Sequence, residues 1–291
     1  VSRTLRFDIP AEDLPCSLRA WLKKRGFSHR VLTDLKKEDG AVTANGIPLK
    51  LCTYLTSPVS VTLRLPMQES VSVSSPCTAP DVPVVYEDDD LIVFLKPAQM
   101  PTHPVHGHQG DTLADFAARH AAESGREPYT FRPVGRLDRN TSGLVPVAKT
   151  AYAARVAVRK TYLAVAEGIL TESGTVNAPI RQKEGSRLLR EVGEGGAPAV
   201  THYEPLLTQN GRTLLRLTLE TGRTHQIRVH MAYLGHPLVG DELYGTAEPG
   251  LNRHALHCAE LSFCHPVTGQ PLTLSAPLPS ELTHLLSVPH P

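Results

Sequence analysis

The residues best placed to do chemistry lie between Pro133 and Gly143, PVGRLDRNTSG. There one carboxylate, Asp138, stands between Arg136 and Arg139 and precedes the small polar run Asn140, Thr141, Ser142 and Gly143. Two readings fit this spacing. Asp138 can form a local salt bridge to Arg136 or Arg139 in an exposed turn, where such a pair contributes little. Alternatively, a strand or turn ending at Gly143 sets a single ionised carboxylate in a narrow electropositive loop, where it can act as a nucleophile toward a phosphate-bearing substrate. A glycosidase would want a second positioned carboxylate, and none lies in this segment. The chain has no G-x-S-x-G elbow, P-loop or G-x-G-x-x-G pattern, so Ser142 reads as a turn residue.

GRLDRNTSG resembles the catalytic motif of the RluA-type RNA pseudouridine synthases. Three further blocks are similar to segments of that family in the same order: LKPAQMPTHP (Leu95 to Pro104), RKTYLAVAEG (Arg159 to Gly168) and TGRTHQIRVHMAYLGHPLVGDELYG (Thr221 to Gly245). The resemblance implies a nucleophile at Asp138, an active-site tyrosine at Tyr162, an arginine pairing with the aspartate at Arg228, and an apolar residue near the base at Leu256. Arg136, Leu137, Thr141, Thr224, His225 and Gln226 are implied as further substrate-binding residues. Two positions depart from the family pattern. Gly135 stands where many relatives have His, and Pro146 interrupts an apolar segment that would otherwise read as a central strand, which predicts an edge, a bulge or a bend there.

The activity implied is isomerisation of uridine in RNA. The bond from ribose to the base nitrogen breaks, the base turns, and it is reattached through carbon, so no cofactor and no metal are expected. A carboxylate in a dry pocket needs a cation within ~4–6 Å to stay ionised, and the planar fork of Arg228 is suited to a bidentate pair with Asp138. Tyr162 can stack on the uracil and relay a proton, although an ordinary strand aromatic would look the same in sequence. The target base must be flipped out of folded RNA. The rival is a non-catalytic RNA-binding or assembly factor built on a degenerate synthase domain.

The formal net charge is only +1, so affinity for RNA must come from local patches. From Arg126 to Lys160 eight Lys/Arg stand against two acids, and Arg181 to Arg190 adds four bases against Glu184. Arg139 and Arg181 are the RNA-contact candidates from these runs. The five cysteines are scattered without a C-x-x-C pair, which argues against a disulfide framework. Neither His257, Cys258, Cys264, His265 nor His103, His106, His108 has the spacing of a structural zinc motif. No apolar run approaches the ~20 residues that span a bilayer, and Val1 to Pro10 lacks the regions of a signal peptide. A cytoplasmic monomer, with no membrane partner, is the expectation.

The elements that must position these residues read as an α+β chain in three parts: residues 1–66, a linker over 67–80, and a catalytic domain over 81–291. In the first part, Asp13 and Pro15 open a helical pattern ending at Gly26, and Ser28 caps a second helix carrying Val31, Leu32 and Leu35. Asn45-Gly46 then turns a hairpin, and Val59 to Leu65 alternates as a strand. Two helices and a V-x-x-N-G hairpin resemble a diverged S4 RNA-binding module, with YLTSP (Tyr54 to Pro58) where that family has a Gly-Asp turn. Its basic residues include Lys23, Lys24, Arg25, Lys36 and Lys37. Met67 to Pro83 is Ser/Pro/Val-rich and has a linker's composition.

For the catalytic part the resemblance implies the pseudouridine synthase fold, a mixed, mainly antiparallel sheet with a central cleft. VVYEDDDLIVFLKP predicts two strands around a solvated acidic turn, Glu87 to Asp90, and Asp111 or Thr112 caps a helix from Leu113 to Ser124. Arg181 to Ala197 predicts a loop or hairpin at the cleft edge, Thr213 to Leu219 a strand, and LSFCHPVTGQPLTLS a hairpin followed by a proline-rich tail. Between Thr150 and Arg159 only AYAARVAV intervenes, where the resemblance implies a helix of about four turns. Eight helical residues advance only about 1.5 Å each, so an interrupted backbone is expected there, the alternative being a true contraction.

Overall fold

A computed structural model describes residues 3–65, 77–125 and 129–287. Residues 66–76, where most of the linker expectation falls, lie outside the described residues.

The N-terminal part folds as β1 (Arg3–Ile9), β2 (Cys16–Ser17), α1 (Leu18–Lys24), α2 (His29–Lys37), β3 (Val42–Ala44), β4 (Ile47–Pro48), β5 (Tyr54–Leu55) and β6 (Val59–Leu65). Strand β1 was not anticipated, although Leu5, Phe7 and Ile9 alternate; it pairs antiparallel along the whole of β6 and makes a sheet of order β1-β6-β3-β4. Helix α1 begins later than expected. Ala11–Asp13 forms a single 3-10 turn, Ser17 caps α1 through the Ala20 N–H, and the Asp13 carboxylate accepts the Trp21 indole N–H instead of opening the helix. Ser28 caps α2 as anticipated. Asn45 and Gly46 both take positive φ, as a type I′ turn requires. The apolar faces of both helices and of β1 and β6 close one core around Leu18, Leu22, Leu32, Val61 and Leu63.

The second part contains β7 (Val84–Glu87), β8 (Leu91–Lys96), α3 (Leu113–Glu123), β9 (Ser142–Ala148), β10 (Arg159–Glu167), β11 (Gly174–Asn177), β12 (Ile180–Gln182), β13 (Arg190–Val192), β14 (Val200–Gln209), β15 (Arg212–Leu219), α4 (Gln226–Tyr233), β16 (Leu256–Cys264), β17 (Pro271–Ser275) and α5 (Ser280–Ser287). Its main sheet runs β11-β14-β15-β10-β16-β9-β8-β7, with β17 on β16. All neighbours are antiparallel except β9 and β16, which meet in parallel over His257/Ser142 and Cys258/Gly143. Gly143 makes that meeting geometrically feasible. It has φ +121°, and a Cβ there would fall on the Cys258 backbone. Thr112 caps α3 in a reciprocal capping box with Asp115.

Four expectations change. First, β9 is an interior strand despite Pro146. Only its first two residues pair with β16, and beyond them the carbonyl of Pro146 accepts the Val134 N–H while the Ala148 N–H donates to Arg132. Second, the acidic turn is not fully solvated. Asp90 is buried and receives a fork from Arg3 of β1 at 2.8 and 3.2 Å, while His265 Nε2 lies 2.8 Å from Asp88. Third, the tail is not merely proline-rich: α5 buries Leu282, Leu285 and Leu286 against Val165 and Val239. Fourth, the backbone between Thr150 and Arg159 is continuous, with a single 3-10 turn at Ala153–Arg155. The contraction has a structural use. Tyr152 stacks on Phe27 with ring centroids 4.1 Å apart and donates its hydroxyl to the Arg25 carbonyl, so the short connection docks the N-terminal core.

Candidate active site

Asp138 sits in the loop that enters β9, and the loop is held from both sides of it. The Thr102 hydroxyl donates to the Leu137 carbonyl at 2.9 Å, and the Lys96 ammonium donates to the Arg139 carbonyl at 3.2 Å. Both donors come from the Leu95–Pro104 block, which explains what that block does physically. Lys96 is wholly buried at the end of β8 and also donates to the carbonyls of Pro97 and Met100, each at 2.8 Å. Burial, with Arg253 nearby, pushes this amine down to about 7 even though Asp138 opposes the shift. Three carbonyls match three N–H donors, which only the charged form supplies.

Tyr162 lies mid-strand on β10, opposite Leu217 of β15 and Cys258 of β16, at a bulge in the β10/β16 register. Burial, reinforced by Cys258 and Asp138, pushes its phenol well above its usual range, so at neutral pH it is an O–H and not a phenolate. Leu256 stands at the start of β16. Arg136, Leu137, Asp138, Thr141, Tyr162, Thr224, His225, Gln226, Arg228 and Leu256 all line one cleft, so the structure brings together every catalytic and substrate-binding residue expected from the sequence. The space along the cleft is about 570 Å³ with the open solvent at its mouth included.

The expected bidentate pair is not there. Arg228, on α4, spends its fork on Asp241: Nε and Nη2 each reach a carboxylate oxygen at 2.7 Å. Its remaining nitrogen, Nη1, lies 3.8 Å from Asp138 Oδ2, and His225 Nε2 lies 3.9 Å from the same oxygen. Asp241 also accepts the backbone N–H groups of Leu243 and Tyr244, and its side chain has no exposed surface. It belongs to the GDELYG segment within the fourth block, and its acidic character next to Gly240 was the available signal. Gly240, with positive φ, packs its α-carbon against the Arg253 carbonyl, where a Cβ has no room.

The buried charge around Asp138 is therefore mainly cationic. Arg228, Arg253 and Lys96 are buried, against the carboxylates of Asp138 and Asp241. His254 is held neutral by burial and these neighbouring cations, and its Nε2 lies 2.8 Å from the Thr141 hydroxyl. Thr141 is thus tied to the cleft wall. Gln226 also lines the cleft, but its amide is engaged inside: Oε1 accepts from Thr221 and the Arg223 N–H, and Nε2 donates to Val200 and Thr201. It fixes the turn before α4. Arg136 is exposed at the lip, 3.4 Å from the Thr224 hydroxyl.

The RNA-contact candidates are distributed. Lys23, Lys24, Arg25, Lys36 and Lys37 are all exposed on the N-terminal part. Lys24 is paired with Asp13, Lys37 with Asp34, and the Arg25 guanidinium lies 4.4 Å over the Trp21 ring. Arg139 is exposed beside Asp138, and Arg181 on the β12–β13 hairpin is paired with Glu191. Among the described residues Asp88, Asp90 and His265 form a group of potential metal ligands, already engaged by the contacts given above.

Comparisons with known proteins agree with this geometry. Residues 90–233 match the RNA pseudouridylate synthase family. The chain is 36% identical over 281 residues to an uncharacterised RNA pseudouridine synthase, YjbO, of Bacillus subtilis, covering 93% of this chain and 98% of that protein. It is 41% identical over 226 residues to the ribosomal large subunit pseudouridine synthase D of Haemophilus influenzae, covering 70% and 69%. Among solved structures, human RNA pseudouridylate synthase domain containing 1 superposes with a TM-score of 0.56 at 26% identity, covering 75% of this chain and 99% of that one. Human RNA pseudouridylate synthase domain containing 4 has the same TM-score at 22% identity and shares the fold. With these likenesses, the carboxylate loop in a cationic cleft of a mixed sheet is that of a uridine-isomerising enzyme acting on RNA. The chain belongs to the RNA pseudouridine synthase family.

Proposed function

We propose that this protein isomerises uridine in ribosomal RNA of the large subunit, with Asp138 as the nucleophile. The substrate follows from its likeness to proteins named for that reaction. The observation that carries the role is the placement of one partly exposed carboxylate in the cleft, with the Arg228 guanidinium and the His225 imidazole near one of its oxygens and no hydrogen bond from a described residue consuming the other. In the forward step a lone pair of Asp138 forms a bond to C1′ of the ribose, and the electron pair of the C1′–N1 bond leaves with the uracil. The base turns against Tyr162 and Leu256, its C5 displaces the carboxylate from C1′, and the proton lost from C5 to solvent is matched by one taken up at N1. Electrons and atoms balance without an outside reagent.

The N-terminal part, residues 1–66, acts as an RNA-binding module on this reading, joined through 67–80 to the catalytic domain, 81–291. Among the described residues no helix is long and apolar enough to cross a membrane. We place the enzyme in the cytoplasm, working as a monomer. One second reading is RNA binding without turnover, raised by the contracted connection at Ala153–Arg155, where the resemblance implies a helix of about four turns. Asp138→Asn decides between them. Tritium release from C5-labelled uridine in ribosomal RNA should be present in the wild type and abolished in the variant, with RNA affinity retained. Release by the variant near the wild-type rate would remove Asp138 from the role of nucleophile.

A further inference from the structure

We infer that Tyr244 and the backbone of the β12–β13 hairpin set His225 as an Nε2–H donor that, together with Arg228, holds Oδ2 of Asp138 and leaves Oδ1 as the attacking oxygen. The inference rests on the reading of Asp138 as nucleophile and adds a positioning residue to it.

The hydrogen-bond chain has one arrangement in which every hydrogen finds an acceptor among the described residues. The Arg190 N–H of β13 donates to the Tyr244 hydroxyl oxygen at 2.9 Å, and His225 Nδ1 lies 2.8 Å from the same oxygen. Tyr244 has one hydrogen to give. An N–H cannot accept it, and Nδ1 is the acceptor in reach among the described residues. Nδ1 therefore accepts, and in a neutral imidazole the proton sits on Nε2, the nitrogen 3.9 Å from Asp138 Oδ2. Burial favours the neutral ring, pushing its pKa below the usual histidine range against the pull of Asp138. Arg228 Nη1 approaches that same oxygen at 3.8 Å, so both donors converge on Oδ2.

A second observation points the same way. His225 has φ 58° and ψ 18°, left-handed backbone that a non-glycine residue adopts at a cost. It stands immediately before α4, yet its side chain does not cap the helix. If only the turn mattered, Asn or Gly would serve better, since both enter that region readily. The imidazole instead reaches from Tyr244 to Asp138, packed edge-on to the Tyr244 ring with centroids 5.7 Å apart.

The choice of variants separates a donor from a turn residue. The amide of Gln places an N–H near the position of Nε2, whereas that of Asn falls near Nδ1. His225→Gln should keep turnover within about 10-fold of wild type, while His225→Asn, the better left-handed residue, should lose about 100-fold or more in kcat with KM little changed, the scale at which a ~1 Å misplacement of a reacting group acts. Tyr244→Phe keeps the ring over Arg228, whose Cζ lies 5.0 Å from its centroid, and removes only the hydroxyl. In ¹⁵N NMR the wild-type His225 should show an unprotonated Nδ1 and a protonated Nε2, and Tyr244→Phe should mix the two tautomers. An Nδ1-protonated ring in the wild type, or Asn equal to or better than Gln in turnover, would overturn the assignment. The tautomer measurement needs no substrate. A wild type that isomerises no RNA, yet shows the assigned tautomer, would count against the activity reading and not against the relay.

Discussion

Replacing Asp241 by Asn tests the charge arrangement most directly. Asp241 has no exposed side-chain surface and accepts four N–H groups: Arg228 Nε and Nη2 at 2.7 Å each, Leu243 N–H at 3.1 Å and Tyr244 N–H at 3.3 Å. Three of these use Oδ1, so the amide nitrogen of Asn goes to the Oδ2 position and meets Arg228 Nε, donor against donor. The buried guanidinium then loses both its counter-charge and one charge-assisted bond. Removing one partner of a buried pair costs about 3–5 kcal/mol. At roughly 2–4 °C per kcal/mol for a chain of this size, the melting temperature should fall by about 6–20 °C. A second effect is catalytic. The nearest remaining anion for Arg228 is Asp138, 3.8 Å away, and a guanidinium that closes onto it captures both of its carboxylate oxygens. Turnover should fall about 100-fold, the scale at which a ~1 Å misplacement of reacting groups acts. Thermal denaturation by circular dichroism and single-turnover tritium release, measured well below the variant's midpoint, separate the two effects. A variant that melts with the wild type and turns over at its rate would refute the view that Asp241 compensates Arg228.

Two further outcomes follow from the same structure. An unfolded lysine holds its proton to about 10.4, whereas folded Lys96 releases it near about 7. Between these values the unfolded state binds more protons, so this group's penalty is full below about 7 and is relieved as pH rises through the window. The neutral amine, however, has two N–H donors for three carbonyls, so turnover should drop over the same range as the catalytic loop loosens. Lys96→Met should flatten both trends, and a pH profile unchanged by the substitution would exclude Lys96 as their source. In the N-terminal part, Lys23 and Lys36 are exposed, and no ion pair involves either among the described residues. If both contact RNA phosphates, the double change to Gln should reduce the salt slope of RNA binding by about 1.4–1.8, at 0.7–0.9 per contact. An unchanged slope in filter binding across salt concentrations would make that face structural.

Local pattern carried much of the fold. The capped helices α2 and α3, the Asn45-Gly46 hairpin, the β7–β8 pair and the β16–β17 hairpin each rest on residues whose preferences act within a few positions, so their places were legible in the chain. Strand β1 was missed because its partner, β6, lies more than fifty residues away, and a single amphipathic run near a terminus does not announce that pairing. Helix α5 was missed because the prolines around it are more conspicuous than the Leu282, Leu285 and Leu286 stripe that docks it. Pro146 marks the stretch where β9, an interior strand by its neighbours, has parted from β16 and is met on that side by residues 132–134. A proline breaks a sheet only where its N–H is wanted, and at that point of β9 the parallel partner has already departed.

For the site, the sequence by itself determined which residues gather. Asp138, Tyr162 and Arg228 lie in blocks whose order and chemistry are readable without coordinates, Leu256 follows the last of those blocks, and all four line the cleft. What only the tertiary structure decided is which charge faces which. Asp138 and Asp241 were both available to Arg228, and a guanidinium has one fork. The fork goes to Asp241, thirteen residues along the same segment and fully buried, because there two backbone N–H groups share the cost of desolvating the carboxylate. Asp138 keeps a free oxygen for the same reason. The loop grip of Lys96 and Thr102 likewise depends on carbonyls, which every residue carries, and no side-chain pattern can show which carbonyl a folded chain will present.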